Sequence, residues 1–213
     1  MAEDYEPLNA AQTVSETDSF TAYRYVQFAR HLGSAMRILD VGCNTGRGGV
    51  VLRQVKPSAH IEGLEMLAAR AALVPAGVYD AVTLGDLAML AGAGAQFDAL
   101  VMRELIEHVP YPALEDFLPS AATVLSPGWP YPSSHPEPSL PVREVARRVG
   151  PRRAPVSVHS PLALTELLNR GFRVVRVDGT GPVSRAVGLR FPLGVYGSFM
   201  LIAERHISAS RGR

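Results

Sequence analysis

A chain of 213 residues, 47% hydrophobic and 19% charged, is long enough for one α/β domain with a full core. A formal net charge of +1 excludes a whole-molecule field that would draw in nucleic acid, and a single cysteine excludes an internal disulfide. No apolar run is long enough to span a bilayer and the acidic, polar start is unlike a secretory signal, so a cytoplasmic protein is expected.

Residues 1–17 are polar and carry no period, which predicts a mobile arm ahead of a domain over residues 18–207, with a disordered tail at 208–213. Asp18 or Ser19 caps a predicted helix from Phe20 to about Leu32, along which Phe20, Tyr23, Val26 and the Phe28/Leu32 pair recur at helical spacing. The organising stretch follows, from Arg37 to Gly49. Ile38, Leu39 and Val41 suit a strand buried on both faces. Gly42 and Gly46 let the backbone turn sharply and approach a ligand, and a helix beginning near Gly48 aims its free N–H groups at the same loop. That combination suits a nucleotide-like ligand with an anionic end.

Spacing narrows the ligand. A dinucleotide fingerprint, GxGxxG, would need glycine where Asn44 and Arg47 stand, and a phosphate-cradling GxxxxGK[ST] fails as well. What remains is D-x-G-x-x-x-G with Asp40 at the strand end, where a carboxylate repels a pyrophosphate and suits an amino group. The stretch resembles motif I of the class I S-adenosylmethionine (SAM)-dependent methyltransferases of the small-molecule type. Asn44 stands in for the middle glycine, as a residue that tolerates left-handed backbone.

Arg47 to about Val55 is a predicted helix, ended by Pro57. His60 to Leu64 is a second strand ending at Glu65, whose carboxylate accepts two hydrogen bonds side by side, as two ribose hydroxyls require. An Ala-rich helix over Met66 to Ala72 leads to a third strand, Ala81 to Leu84, closed by Gly85-Asp86-Leu87. Asp86 also suits a helix N-cap. Phe97 to Met102 is the fourth strand. Arg103-Glu104-Leu105-Ile106-Glu107-His108-Val109-Pro110 after it is similar to the E-V-I-E-H-V block of the same methyltransferases, and the helix Leu114 to Leu125 with Ser126-Pro127-Gly128 resembles their L-x-P-G-G.

From Pro127 to Pro155 the pattern changes. Eight of the chain's 17 prolines fall there, with Arg143, Arg147, Arg148, Arg152 and Arg153. A central strand over Pro130 to Pro141 is not expected, because proline cannot donate to the ladder. Val142, Val145, Ala146 and Val149 have the spacing of a short amphipathic helix. Two readings of the stretch stand open: a loop beside an unrecognised strand, and coding DNA read out of frame, with the fifth strand lost. The arginines are either a solvated face or a contact for an anionic substrate or RNA. Ser160 then caps and Pro161 opens a helix through Asn169, with Gly171 at its end. Phe172 to Val177 alternates as a strand, Gly188 to Gly194 is a loop, and Tyr196 to Glu204 is the final strand.

The resemblance implies a Rossmann-like doubly wound α/β fold: a three-layer αβα sandwich, its sheet mostly parallel with an antiparallel last strand. It implies SAM as cofactor. Asp40, Gly42, Cys43, Asn44 and Gly46 would face its methionine end, Glu65 and Met66 its ribose side, and Asp86 and Leu87 its adenine, with Arg103 and Glu104 by the methionine. The N-terminal helix would cover the cofactor. The expected reaction is methyl transfer to a small-molecule acceptor, at a hydroxyl oxygen, with His108 or His159 as general base. No metal is expected, since no zinc-like spacing of His and Cys occurs. Nucleic acid and membrane partners are not expected, although an RNA-modifying methyltransferase and an inactive SAM-fold protein remain alternatives.

Overall fold

Strand β1 (Arg37–Val41) is buried over four of its five residues, as a strand paired on both sides and covered on both faces must be. It pairs in parallel with β2 (His60–Glu65) on one side and with β4 (Ala99–Arg103) on the other. The computed structural model describes residues 19–92, 96–103, 105–106, 109, 111–126, 142–146, 161–179 and 198–205. The expected arm at 1–17, the tail at 208–213 and the loop at Gly188–Gly194 lie outside them.

Among the described residues, seven strands form one sheet in the order β3-β2-β1-β4-β5-β7-β6, with β3 (Ala81–Leu84), β5 (Val142–Ala146), β6 (Phe172–Gly179) and β7 (Ser198–Arg205). All neighbours are parallel except β7, which runs antiparallel to both β5 and β6. The doubly wound, three-layer α/β expectation is met. Strand order reverses between β2-β1 and β4, so the carboxyl ends of β1 and β4 form a topological switch point, where open α/β sheets hold their ligands.

The pleat divides the core in two. Ile38, Ile61, Ala99 and Val101 face the layer of α1 (Ser19–His31) and α2 (Arg47–Val55), packing with Tyr25, Phe28, Val51 and Leu52. Leu39, Val41, Leu64, Leu100 and Met102 face the other layer, from α4 (Leu87–Gly92), α5 (Tyr111–Val124) and α6 (Pro161–Leu168). Between β2 and β3 the helix is shorter than its Ala-rich sequence predicts: only Ala68–Ala71 (α3) is helical, and none of it is buried. An isolated helix this short has too few hydrogen bonds to offset its nucleation. No described helix is long and apolar enough to cross a membrane.

Two boundaries move for packing reasons. Phe97 stands outside β4 as an isolated bridge to Leu125. Its N–H donates to the Val124 carbonyl and its own carbonyl accepts from Ser126 N, which fastens the end of α5 to the start of β4. The larger correction is β5. The amphipathic helix expected around Val142 to Val149 is absent at Val142–Ala146, which is a strand in the sheet's fifth position. Arg143 and Glu144 stand opposite Met102 and Arg103 of β4, and all five residues pair with β7. A strand thus fills the fifth position, while residues 129–139, on which the out-of-frame reading rests, lie outside the described residues. A slot between two strands offers unpaired N–H and C=O groups on both sides, and a proline-free segment containing Val142 and Val145 satisfies them. The proline-bearing residues 127–141 precede the strand and lie outside the described residues.

Phe97 is fully buried, so Phe97→Ala is expected to cost about 3–5 kcal/mol. Urea unfolding measures this, and a loss under about 1 kcal/mol would show that the α5–β4 junction does not depend on the ring.

Candidate cofactor site

The loop between β1 and α2 is built from left-handed backbone. Gly42 has φ 73°, Asn44 φ 54° and Gly46 φ 83°, and Asn44 is the only positive-φ residue other than glycine among those described. Left-handed backbone disfavours side chains with a Cβ, asparagine least. Gly42 N and Cys43 N both donate to the Leu64 carbonyl, and Gly46 N closes a turn onto the Cys43 carbonyl. Gly46 is also the N-cap of α2, with no side chain capping that helix start. Its first-turn N–H groups have no acceptor within the helix.

Glu65, at the carboxyl end of β2, is 6% exposed and braces the loop. Its Oε2 accepts from Asn44 N at 2.8 Å and its Oε1 from Leu67 N at 3.0 Å. Each carboxylate oxygen offers two acceptor sites, so one remains on each. Met66 beside it is 49% exposed and offers an apolar surface. Asp86 is exposed and caps α4, its Oδ1 accepting from Met89 N at 3.2 Å. Leu87 is 1% exposed and belongs to the core. The Cys43 thiol fills the space above Gly63, where a Cβ would lie 2.7 Å from its sulfur. Burial, and then the charges of Asp40 and Glu65, push that thiol far above its usual range, so it stays protonated. Arg103 ends β4 beside this loop. Glu104, His108 and His159 lie outside the described residues.

Asp40 sits where the pleat puts it: on the same face as Ile38, against the α1 and α2 layer, and fully buried. Both its oxygens are engaged there. Tyr79 donates its hydroxyl to Oδ2 at 2.6 Å and Tyr25 donates to Oδ1 at 3.0 Å. Burial pushes the Asp40 carboxyl up to about 6, and the nearby Glu65 charge adds to the rise. Hydrogen bonds from Tyr79 and Tyr25, together with the Arg103 charge, oppose it. The same burial, with the Asp40 charge, raises both tyrosines well above their usual value, so both remain donors.

These two tyrosines were not legible as site residues. Tyr25 follows no motif and Tyr79 precedes β3 in a plain turn. The available signal was the Gly48-Gly49 pair inside a helix. A Cβ on Gly48 would overlap Cζ and the hydroxyl of Tyr25, and a Cβ on Gly49 would overlap Cζ of Tyr79. The two glycines leave the first turn of α2 bare so that both rings pass to Asp40. Arg53 of α2 holds the segment that carries Tyr79, donating to the Val78 and Ala59 carbonyls and to Asp80.

The residues present fit a ligand with both cationic and anionic groups at the loop. Asn44 Oδ1 and Thr45 Oγ1 are buried with no hydrogen-bond partner, and buried polar atoms of this kind call for one. The oxygens supply acceptors for an ammonium, and the uncapped helix start supplies donors for a carboxylate.

A family model described as a methyltransferase domain matches residues 18–177. No curated protein matches the chain at a significant level. Among solved structures, N-methyltransferase NodS from Bradyrhizobium japonicum WM9, in complex with S-adenosylhomocysteine, is similar at a TM-score of 0.65 and 15% identity, covering 95% of this chain and 97% of its own. A SAM-dependent methyltransferase from Archaeoglobus fulgidus is similar at 0.63 and 15%, covering 86% and 92%. Magnesium protoporphyrin IX methyltransferase (ChlM) from Synechocystis PCC 6803, with S-adenosylhomocysteine bound, is similar at 0.57 and 14%, covering 96% and 94%. At such identities the likeness shows the fold.

Helix propensity alone says Gly48→Ala should stabilise by about 0.5–1 kcal/mol. The overlap with Tyr25 reverses the sign, and a loss of about 1–3 kcal/mol is expected as the Asp40 hydrogen bond breaks. Gly92→Ala in α4 meets nothing within 4 Å and serves as the control. Urea unfolding that finds Gly48→Ala as stable as Gly92→Ala would refute the packing account. A raised carboxyl stabilises the fold most below its unfolded value of 3.8, and that contribution is lost as pH rises through about 6. The stability difference between Asp40→Asn and wild type should therefore move towards the variant by up to roughly 3 kcal/mol between pH 4 and 7. A difference that stays flat with pH would mean an ordinary carboxyl at position 40.

Proposed function

Because the chain belongs to the methyltransferase-domain family and is a SAM-dependent methyltransferase, we propose that it methylates a small-molecule acceptor at a hydroxyl oxygen and holds its cofactor on the β1–α2 loop. The observation that carries the site is the pair of buried, unpartnered oxygens, Asn44 Oδ1 and Thr45 Oγ1, on that left-handed loop at the topological switch point.

In this reading Gly42, Cys43, Asn44 and Gly46 shape the cradle for the methionine end, and Arg103 and Glu104 border it. Glu65 turns its two remaining acceptor sites to the ribose hydroxyls, with Met66 beside them. Asp86 accepts from the adenine amino group while it caps α4, and Leu87 supports that turn from the core. Asp40 supplies charge from behind the loop, since its oxygens are already engaged. SAM, when bound, supplies a methyl group already activated on a sulfonium. The protein's task is then to hold an acceptor in line, and such positioning is worth roughly 7–11 kcal/mol. For a hydroxyl acceptor, His108 or His159 takes the proton, a contribution of about 10²–10⁴-fold. An amine acceptor is the second reading, favoured by the likeness to an N-methyltransferase. Arg143 lies in a central strand of the sheet, and Arg147, Arg148, Arg152 and Arg153 lie outside the described residues.

Release of S-adenosylhomocysteine across a panel of phenols, alcohols and amines tests the acceptor class. Turnover confined to amines would overturn the hydroxyl reading. Glu65→Ala should weaken S-adenosylhomocysteine binding by about 1.5–3 kcal/mol for each ribose hydrogen bond lost. Calorimetry giving wild-type affinity for that variant would remove Glu65 from the site.

A further inference from the structure

Building on the reading that the β1–α2 loop holds SAM, we propose that Tyr25 and Tyr79 are positioning residues that hold Asp40 as a buried counter-charge behind that loop, so that docking α1 and charging the cofactor site are one event. Each hydroxyl occupies a different oxygen of Asp40, and the two arrive from separate elements, α1 and the turn before β3. Phenylalanine would fill the same volumes. What the hydroxyls add is two donors to a carboxylate that has left water altogether. The bare turn at Gly48 and Gly49 serves this contact, because a methyl group at either position would displace a ring.

The charge follows from what faces Asp40. Tyr25 comes from α1, Tyr79 from the turn before β3, Arg103 from β4, Glu65 from β2 and Cys43 from the loop. Cys43 and both tyrosines stay protonated at neutral pH, and Glu65 disfavours a second negative charge. Only the two hydroxyls and Arg103 pull the carboxyl back to about 6 against its burial. Asp40 is therefore ionised at neutral pH by a margin that either tyrosine can remove. A cofactor carrying an ammonium and a sulfonium gains from that charge, and an α1 that has left the core withdraws the Tyr25 donor.

The test is calorimetric titration of the full chain with S-adenosylhomocysteine from pH 5.5 to 8.5. The proteins are wild type, Tyr25→Phe, Tyr79→Phe and Asp40→Asn, with circular dichroism checking the fold at each pH. Wild-type affinity should fall as pH drops through about 6. Each tyrosine variant should move that midpoint up by about one unit, and so lose roughly fivefold at pH 6 and roughly twofold at pH 7, yet recover to about wild-type affinity at pH 8.5. Asp40→Asn should bind weakly without this pH dependence. A loss that is equal at every pH, or an unmoved midpoint, would reduce the tyrosines to packing and overturn the proposal. The two variants are independent, so if one misfolds the other carries the same readout. A wild type that binds no S-adenosylhomocysteine at any pH overturns the site reading and the proposal with it. Binding abolished by Glu65→Ala, beside pH-independent tyrosine variants, overturns the proposal alone.

Discussion

A carboxylate taken wholly out of water is the constraint around which the carboxyl edge of this sheet is arranged. Burying an ionised group costs several kcal/mol even after relaxation, and Asp40 is fully buried. The compensation comes from three places at once: α1 through Tyr25, the β2–β3 connection through Tyr79, and β4 through the charge of Arg103. None of these can be withdrawn without leaving the others facing a less satisfied charge. The chain gives up helix propensity at Gly48 and Gly49 so that the rings can reach it.

Glu65 performs the complementary task on the outer side. One oxygen holds Asn44 N in the first loop and the other holds Leu67 N in the second. Left-handed backbone at a residue with a Cβ is unfavourable by about 1–2 kcal/mol, and the hydrogen bond to Asn44 N is what holds that conformation. Glu65 thus braces the loop from the neighbouring strand end, while Asp40 ties α1 and the β2–β3 connection together behind it. Such preorganisation places the cost of ordering in the folding of the protein rather than in binding.

The far half of the sheet follows a different logic. Strand β5 sits between β4 and β7 although its residues have the spacing of a helix. Neighbouring strands with open hydrogen-bonding groups decide the matter, since burying them unpaired would cost about 1–3 kcal/mol each. Local periodicity, worth a few tenths of a kcal/mol per residue, yields to that demand.

The sequence by itself determined the α/β class, the strand–loop–helix at Arg37 to Gly49, the placement of Glu65 at the end of β2 and the capping role of Asp86. These are local matters: β-branched runs, glycines at turns and an acid at the end of a strand act through their immediate neighbours. Tertiary structure alone decided where the Asp40 side chain goes. Its partners Tyr25 and Tyr79 lie 15 and 39 residues away, and nothing in their own surroundings marks them. Strand pairing fixes the face on which Asp40 lies, and only the packing of α1 and the β2–β3 connection onto that face brings two hydroxyls to it. The same holds for β5, whose conformation is set by strands distant in sequence. Contacts across such separations carry no local signature, and they are what turn a glycine loop into a charged, braced site.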